Sequence, residues 1–181
     1  MFGKLFRHNP AKAAGARLYA SAVTQARSPV FYRDLSVPDR IDARFELYAL
    51  HVILLVHRLA GCGEQASQTS QGLFDSFVSA LDHTLRELGV GDLSVAKKIR
   101  PLGEAFYGRT RAYAAALKDG GDRNMITGLV ARTIFADEAA RGAAAPMVDY
   151  VIRADQALAA CPLEELLAGR VTWIAPLEQA A

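Results

Sequence analysis

Apolar positions along this chain recur at spacings of three and four rather than alternating, the pattern of helices packed on one face. The clearest stripe is Phe74, Phe77, Val78, Leu81, Leu85 and Leu88, with Asp75, Asp82, Arg86 and Glu87 turned outward. It predicts a helix that starts near Thr69 or Ser70 as N-cap and stops at Gly89, whose missing side chain suits a left-handed C-terminal position. Upstream, residues 11–27 predict an Ala-rich first helix, ended by Ser28-Pro29 because the residue before proline avoids the helical region. A second helix begins after Pro38 with Asp39 as cap and continues through Phe45, Val52, Leu55 and Leu59 to the breaker Gly61-Cys62-Gly63. Residues 63–69 read as a polar loop.

Downstream, Ser94 is the expected cap of a helix running to about Lys118, with Pro101 kinking or restarting it. After the turn Asp119-Gly120-Gly121, Asp122 caps a helix through Ile126, Leu129, Val130 and Ile134. Pro146 opens another through Val148, Val151, Ile152 and Leu158, closed by Cys161-Pro162, and residues 163–168 form a short last helix. Residues 171–174 read as extended. With no internal repeat and no sustained heptad run, the expected fold is all-α: a single compact domain of about six helices with a short C-terminal tail packed on it. Its expected limits are 11–176, with 1–10 and 177–181 as terminal segments.

Composition narrows the functional classes. The 181 residues fit one core, 51% of them are hydrophobic and 22% charged, and the net charge is +2. That excess is too small for general nucleic-acid binding, and no DNA partner is expected. The most apolar run, residues 48–59, holds His51, His57 and Arg58 and falls short of the roughly 20 residues that span a bilayer. Cys62 and Cys161 stand far apart with no CxxC pair, as expected of a reducing compartment. The start, MFGKLFRHNP, lacks the apolar core of a secretory signal, which points to the cytoplasm.

Catalytic and cofactor motifs are sparse. There is no GxxxxGK[ST], no GxGxxG after a strand and no HExxH, so neither a cofactor nor a metal is expected. His51 and His57, six residues apart, fall on different faces of a helix. His83 and Glu87 share a face, but a solvated surface accounts for them. The chain reads as a non-enzyme, the alternative being a helical ligand-binding domain or enzyme with an inter-helix pocket near His51, His57 and Tyr107.

Charge is concentrated on one element. From Val95 to Lys118 six basic residues face Glu104 alone, so this segment is strongly positive while the rest of the chain is net negative. Lys97, Lys98, Arg100 and Arg109, with Phe106 and Tyr107, are the candidate partner-binding residues, a basic patch beside two aromatics. Phe2, Leu5 and Phe6, interleaved with Lys4 and Arg7, are candidates for membrane contact.

Several pieces in order, FYRDLSVPDRIDARFELYALHVILLVHRL at 31–59, QGLFDSFVSALDHTLRELGVGDLSVAKKIRPLGEAFYGR at 71–109 and LLAGRVTW at 166–173, resemble the ubiquinol-cytochrome c chaperone family in its short bacterial form. The resemblance implies a non-enzymatic helical assembly factor of the cytochrome bc1 complex that binds newly made cytochrome b. Mitochondrial relatives resemble membrane-associated factors that work on the matrix side, with a small partner subunit and near the ribosome exit. A bacterial form is then expected at the inner face of the cytoplasmic membrane, with ribosome contact through the basic helix as an extension that strong salt dependence would reveal.

Overall fold

The computed structural model describes residues 9–177. Within them the chain is all-α, with six helices of eight residues or more and two of five. Helix α1 (Pro10–Ala26) starts where the Asn9 side chain accepts the amides of Ala11 and Lys12 at 3.1 and 3.3 Å. A five-residue helix, α2 (Pro29–Arg33), follows at once and buries Phe31. Proline suits the first turn of a helix, so the Ser28-Pro29 step that ends α1 also begins α2.

Helix α3 (Ile41–Leu59) is the central element, with Leu47, Leu50, Val52, Ile53, Leu54 and Leu55 all buried. It touches α1, helix α4 (Glu64–Glu87), helix α5 (Asp92–Leu117) and helix α7 (Ala145–Ala160). Asp39 does not cap it, as the sequence suggests, but takes Arg44 at 2.6 Å.

Helix α4 is longer than its apolar stripe. Residues 64–69, expected as loop, form its first turns, after Gly63 makes the turn at φ 93 that suits a residue without a side chain. Thr69 is not the N-cap: it is buried, and its hydroxyl donates to the Gln65 carbonyl at 2.9 Å. The inward face of these turns carries Ala66, Thr69 and Gly72, too small and polar to register as hydrophobic periodicity. At the other end Gly89 (φ 80) closes the helix as expected, with Val90 donating to Leu85 at 3.0 Å and Gly89 to Arg86 at 2.9 Å. The stripe meets solvent there, leaving Leu88 70% exposed.

Helix α5 runs unbroken through Pro101 rather than restarting, and begins at Asp92, with Gly91 rather than Ser94 in the capping position. Helix α6 (Arg123–Val130) is capped by the Asp122 side chain and continues into a π-helical turn at Ala131–Phe135 and a 3-10 turn at Glu138–Arg141. After α7 and helix α8 (Leu163–Leu167) the chain has no regular structure over 171–175. That tail lies across the helices: the Trp173 indole donates to the Ser21 hydroxyl at 3.2 Å, and Gln25 donates to the Ile174 carbonyl at 3.0 Å.

Helices α1 and α4 share the most extensive contact in the molecule. A Cβ placed on Gly15 would lie 2.3 Å from the Leu73 nitrogen, and one on Gly72 would lie 2.8 Å from the Lys12 Cα. The obstacles are main chain, which no rotamer change can move. Gly15→Ala should therefore cost about 3 kcal/mol or more by overpacking. Gly103→Ala, at a helical site with open space around it, should gain about 0.5–1 kcal/mol from helix propensity. Urea unfolding of the two variants is the check, and equal midpoints would remove the tight crossing from the account.

Candidate functional site

An open hollow of about 530 Å³ lies where the end of α3, the start of α4 and the middle of α5 meet. Val56, Leu59, Phe74 and Phe106 give it an apolar floor, while Glu64, Ser67, Gln71 and Thr110 supply polar edges. Phe106 is only 2% exposed, held by the rings of Phe74 and Phe77 at 5.3 and 5.2 Å between centroids. Its neighbour Tyr107 is 51% exposed and leans on Phe74 at 5.1 Å. Tyr107 also borders a second hollow of about 510 Å³, with Glu104, Thr110 and Arg111. One exposed aromatic thus stands between two concavities.

The wall formed by the α3–α4 turn is fixed from behind by Arg58. Its guanidinium donates to the carbonyls of Leu158 and Cys161, at 2.7 and 2.9 Å, and reaches the Cys62 Sγ at 3.4 Å. A cation from α3 so satisfies the free carbonyls at the end of α7, which has no basic residue in its own last turn.

The candidate partner-binding residues divide into three groups. Tyr107 and Phe106 belong to the hollow, Phe106 as buried floor rather than as exposed surface. Arg109 turns away, pairing with Glu46 on α3 at 2.6 Å, the two side chains 24% and 11% exposed. Burial pushes the Glu46 carboxyl up to about 6 while the guanidinium of Arg109 pulls it back. Lys97, Lys98 and Arg100 are exposed, but precede Tyr107 by seven to ten residues, so they stand about 10–15 Å along the axis from it and line neither hollow. Arg100 meets Glu104 at 3.1 Å, whereas neither lysine has a carboxylate within 4 Å among the described residues. The cation that does reach a hollow, the second one, is Arg111, which sequence reasoning passed over because nothing in its spacing sets it apart from its neighbours. Phe2, Leu5 and Phe6 lie outside the described residues.

The pocket imagined around His51, His57 and Tyr107 does not form. His51 is fully buried: its Nδ1 donates to the Leu47 carbonyl at 2.7 Å, which leaves Nε2 to accept the Tyr150 hydroxyl at 2.7 Å. Phe31 and Trp173 pack edge-on against its ring, so it belongs to the core rather than to a cavity wall. His57 faces Asp155 at 3.7 Å on α7, and burial raises that carboxyl while His57 lowers it. Among the described residues no group of three His, Cys, Asp or Glu is placed to hold a metal ion. None of the described helices is long and apolar enough to cross a membrane.

These features define an all-α protein with an open, aromatic-floored hollow. The description "Ubiquinol-cytochrome C chaperone" belongs to the family model that matches residues 33–173, and the chain is a member of that family. A solved structure titled "Crystal structure of the Cbp3 homolog from Brucella abortus" is similar, with 33% identity, a TM-score of 0.82 and 92% of each chain covered. No curated protein matches the sequence.

Burial pushes the His51 imidazole down to about 4 from its usual 6.5. The unfolded chain therefore binds a proton that the folded chain refuses between those values, and folding stability falls as pH drops from about 6.5 to about 4. The full loss is about 3 kcal/mol. Glu46, raised by burial, works in the opposite sense over an overlapping range, so the effect is read as a difference. Thermal midpoints from pH 7 to pH 4 should fall more steeply for the natural chain than for His51→Gln, and parallel curves would show that His51 takes up its proton alike in the folded and unfolded chains.

Proposed function

We propose that this protein is an assembly factor of the cytochrome bc1 complex that holds newly made cytochrome b, with the hollow beneath Tyr107 as the place of contact. Family membership supplies the pathway. The observation that carries the site is Tyr107, a large aromatic half open to solvent over the half-buried Phe74 and the buried Phe106. Apolar floor, aromatic edge and polar rim suit one face of an amphipathic or membrane-destined helix laid into a groove. Lys97 and Lys98, farther along α5, then meet acidic flanks of the client or anionic headgroups. The protein works without catalysis, at the inner face of the cytoplasmic membrane. The N-terminal Phe2, Leu5 and Phe6 belong to the same proposal as a membrane contact.

Removing the gene from its native host should lower cytochrome b and assembled bc1 complex in membranes while the cytochrome b transcript holds steady. Within the protein, Tyr107→Glu places a charge in the hollow at an exposed position, so helical content should persist while co-purification of cytochrome b drops about tenfold, as for a contact worth about 1.4 kcal/mol. Replacing Lys97, Lys98 and Arg100 with Glu tests the charged end of the same surface. Undiminished capture by the Tyr107 variant would remove the hollow from the proposal, and normal bc1 levels without the gene would remove the function.

A further inference from the structure

On the side of the molecule formed by α6 and the turns after it, two arginines converge on a glycine. A Cβ on Gly128 would lie 3.2 Å from Nη2 of Arg141 and 3.3 Å from Nη1 of Arg132, so two guanidinium groups share the space one methyl group would fill. They arrive from different segments, Arg132 from the π-helical turn and Arg141 from the 3-10 turn. Arg141 is steadied by the Asn124 side-chain carbonyl at 3.2 Å, a neutral acceptor, and has no carboxylate within 4 Å among the described residues. Arg132 reaches Glu138 only at 3.9 Å.

The other acids of this region are committed elsewhere. Asp122 accepts the amides of Asn124 and Met125, Asp137 accepts that of Ala139, and Asp149 is paired with Arg123. Two like charges therefore meet with little to offset them, an arrangement that an anion between them would stabilise. The phosphodiester of a phospholipid presents two unesterified, negatively charged oxygens whose lone pairs can accept from both guanidinium groups. One turn before Gly128 stands Met125, an apolar side chain 45% exposed. Phosphate recognition beside an exposed apolar group matches the chemistry of a membrane surface, where the headgroup phosphate lies next to the start of the acyl region.

We propose that Arg132 and Arg141, seated over Gly128, bind the phosphate of an anionic phospholipid headgroup while Met125 enters the acyl boundary beside it. This site rests on the reading of the protein as peripheral at a membrane, and is separate from the hollow at Tyr107. It gives that reading a contact within the folded domain.

The test is cosedimentation of the purified full chain, without client, with vesicles of phosphatidylcholine alone or mixed with phosphatidylglycerol. The natural chain should sediment with the mixed vesicles and not with phosphatidylcholine alone. The double variant Arg132→Gln with Arg141→Gln should lower partitioning about thirtyfold, as expected for two surface arginines. Gly128→Ala, which keeps both charges but fills their seat at a helical position, should weaken it less. A charge-matched pair, Arg33→Gln with Lys118→Gln, should leave it unchanged. Equal losses in the two double variants would reduce the effect to net charge and overturn the site, as would undiminished sedimentation of the Arg132 and Arg141 variant or no preference for anionic vesicles. Calorimetric binding of inorganic phosphate without vesicle capture would overturn the lipid assignment. Because no client is present, failure here leaves the Tyr107 hollow to be judged on its own experiment.

Discussion

The crossing of α1 over α4 is the constraint from which the rest of the structure follows. At Gly15 and Gly72 two main chains meet with no side chain between them, and the contact is made by main-chain atoms such as the Leu73 nitrogen and the Lys12 Cα. Contacts of this kind specify position more sharply than apolar packing does, because backbone has no alternative rotamers. The same economy recurs beside it: Gly169, at φ 74, brings the chain after α8 so near α1 that a Cβ would fall 2.9 Å from the Ala14 Cα. Arg17 completes that junction by donating to the Ala168 carbonyl at 2.9 Å. Helix α1 is therefore clamped on one side by α4 and on another by the far end of the chain.

The fixed position of α4 decides where its aromatic residues go. With Gly72 against α1, Phe74 and Phe77 face α5 and stack with Phe106, and Phe77 also meets Phe45 of α3 at 5.9 Å. That cluster seals the core under the hollow and leaves Tyr107, the next residue on α5, at the rim. At the back, the hydrogen bonds of Arg58 to the end of α7 hold the α3–α4 turn. The concavity is thus built from rigid parts and does not require a loop to order around an occupant.

Much of this was legible in the sequence, and the failures have physical reasons. The six longer helices, the glycine stop at Gly89, the cap at Asp122 and the proline in the first turn of α7 were marked by periodicity and turn chemistry. The first turns of α4 were misread as loop because Ala66, Thr69 and Gly72 bury themselves by being small, and smallness carries no hydrophobic signal. Helix α2 was missed because Pro29, read as a stop, was also a start. At the candidate site, charge count drew attention to α5 but could not sort its cations. Arg109 faces Glu46, sixty-three residues away in sequence, and only the fold brings the two together. The meeting of Arg132 and Arg141 over Gly128 is invisible for the same reason, since it depends on a π-helical turn that shifts the register of side chains after α6.

On the proposed reading, the dimensions of the hollow bear on how a client would be held. A helix able to cross a bilayer is about 30 Å long, far larger than a space of about 530 Å³ can enclose. Only a turn or two of such a helix can rest on Phe74, Phe106 and Tyr107, with the remainder left free. Binding of that extent buries little apolar area, so it is reversible without any change in the chaperone's own core. A holding protein whose client must move on into a membrane complex benefits from weak, local contact of this sort. Placing the aromatic rim and the lysines of α5, unmatched among the described residues, two to three helical turns apart would let a single client touch both while being tightly bound by neither.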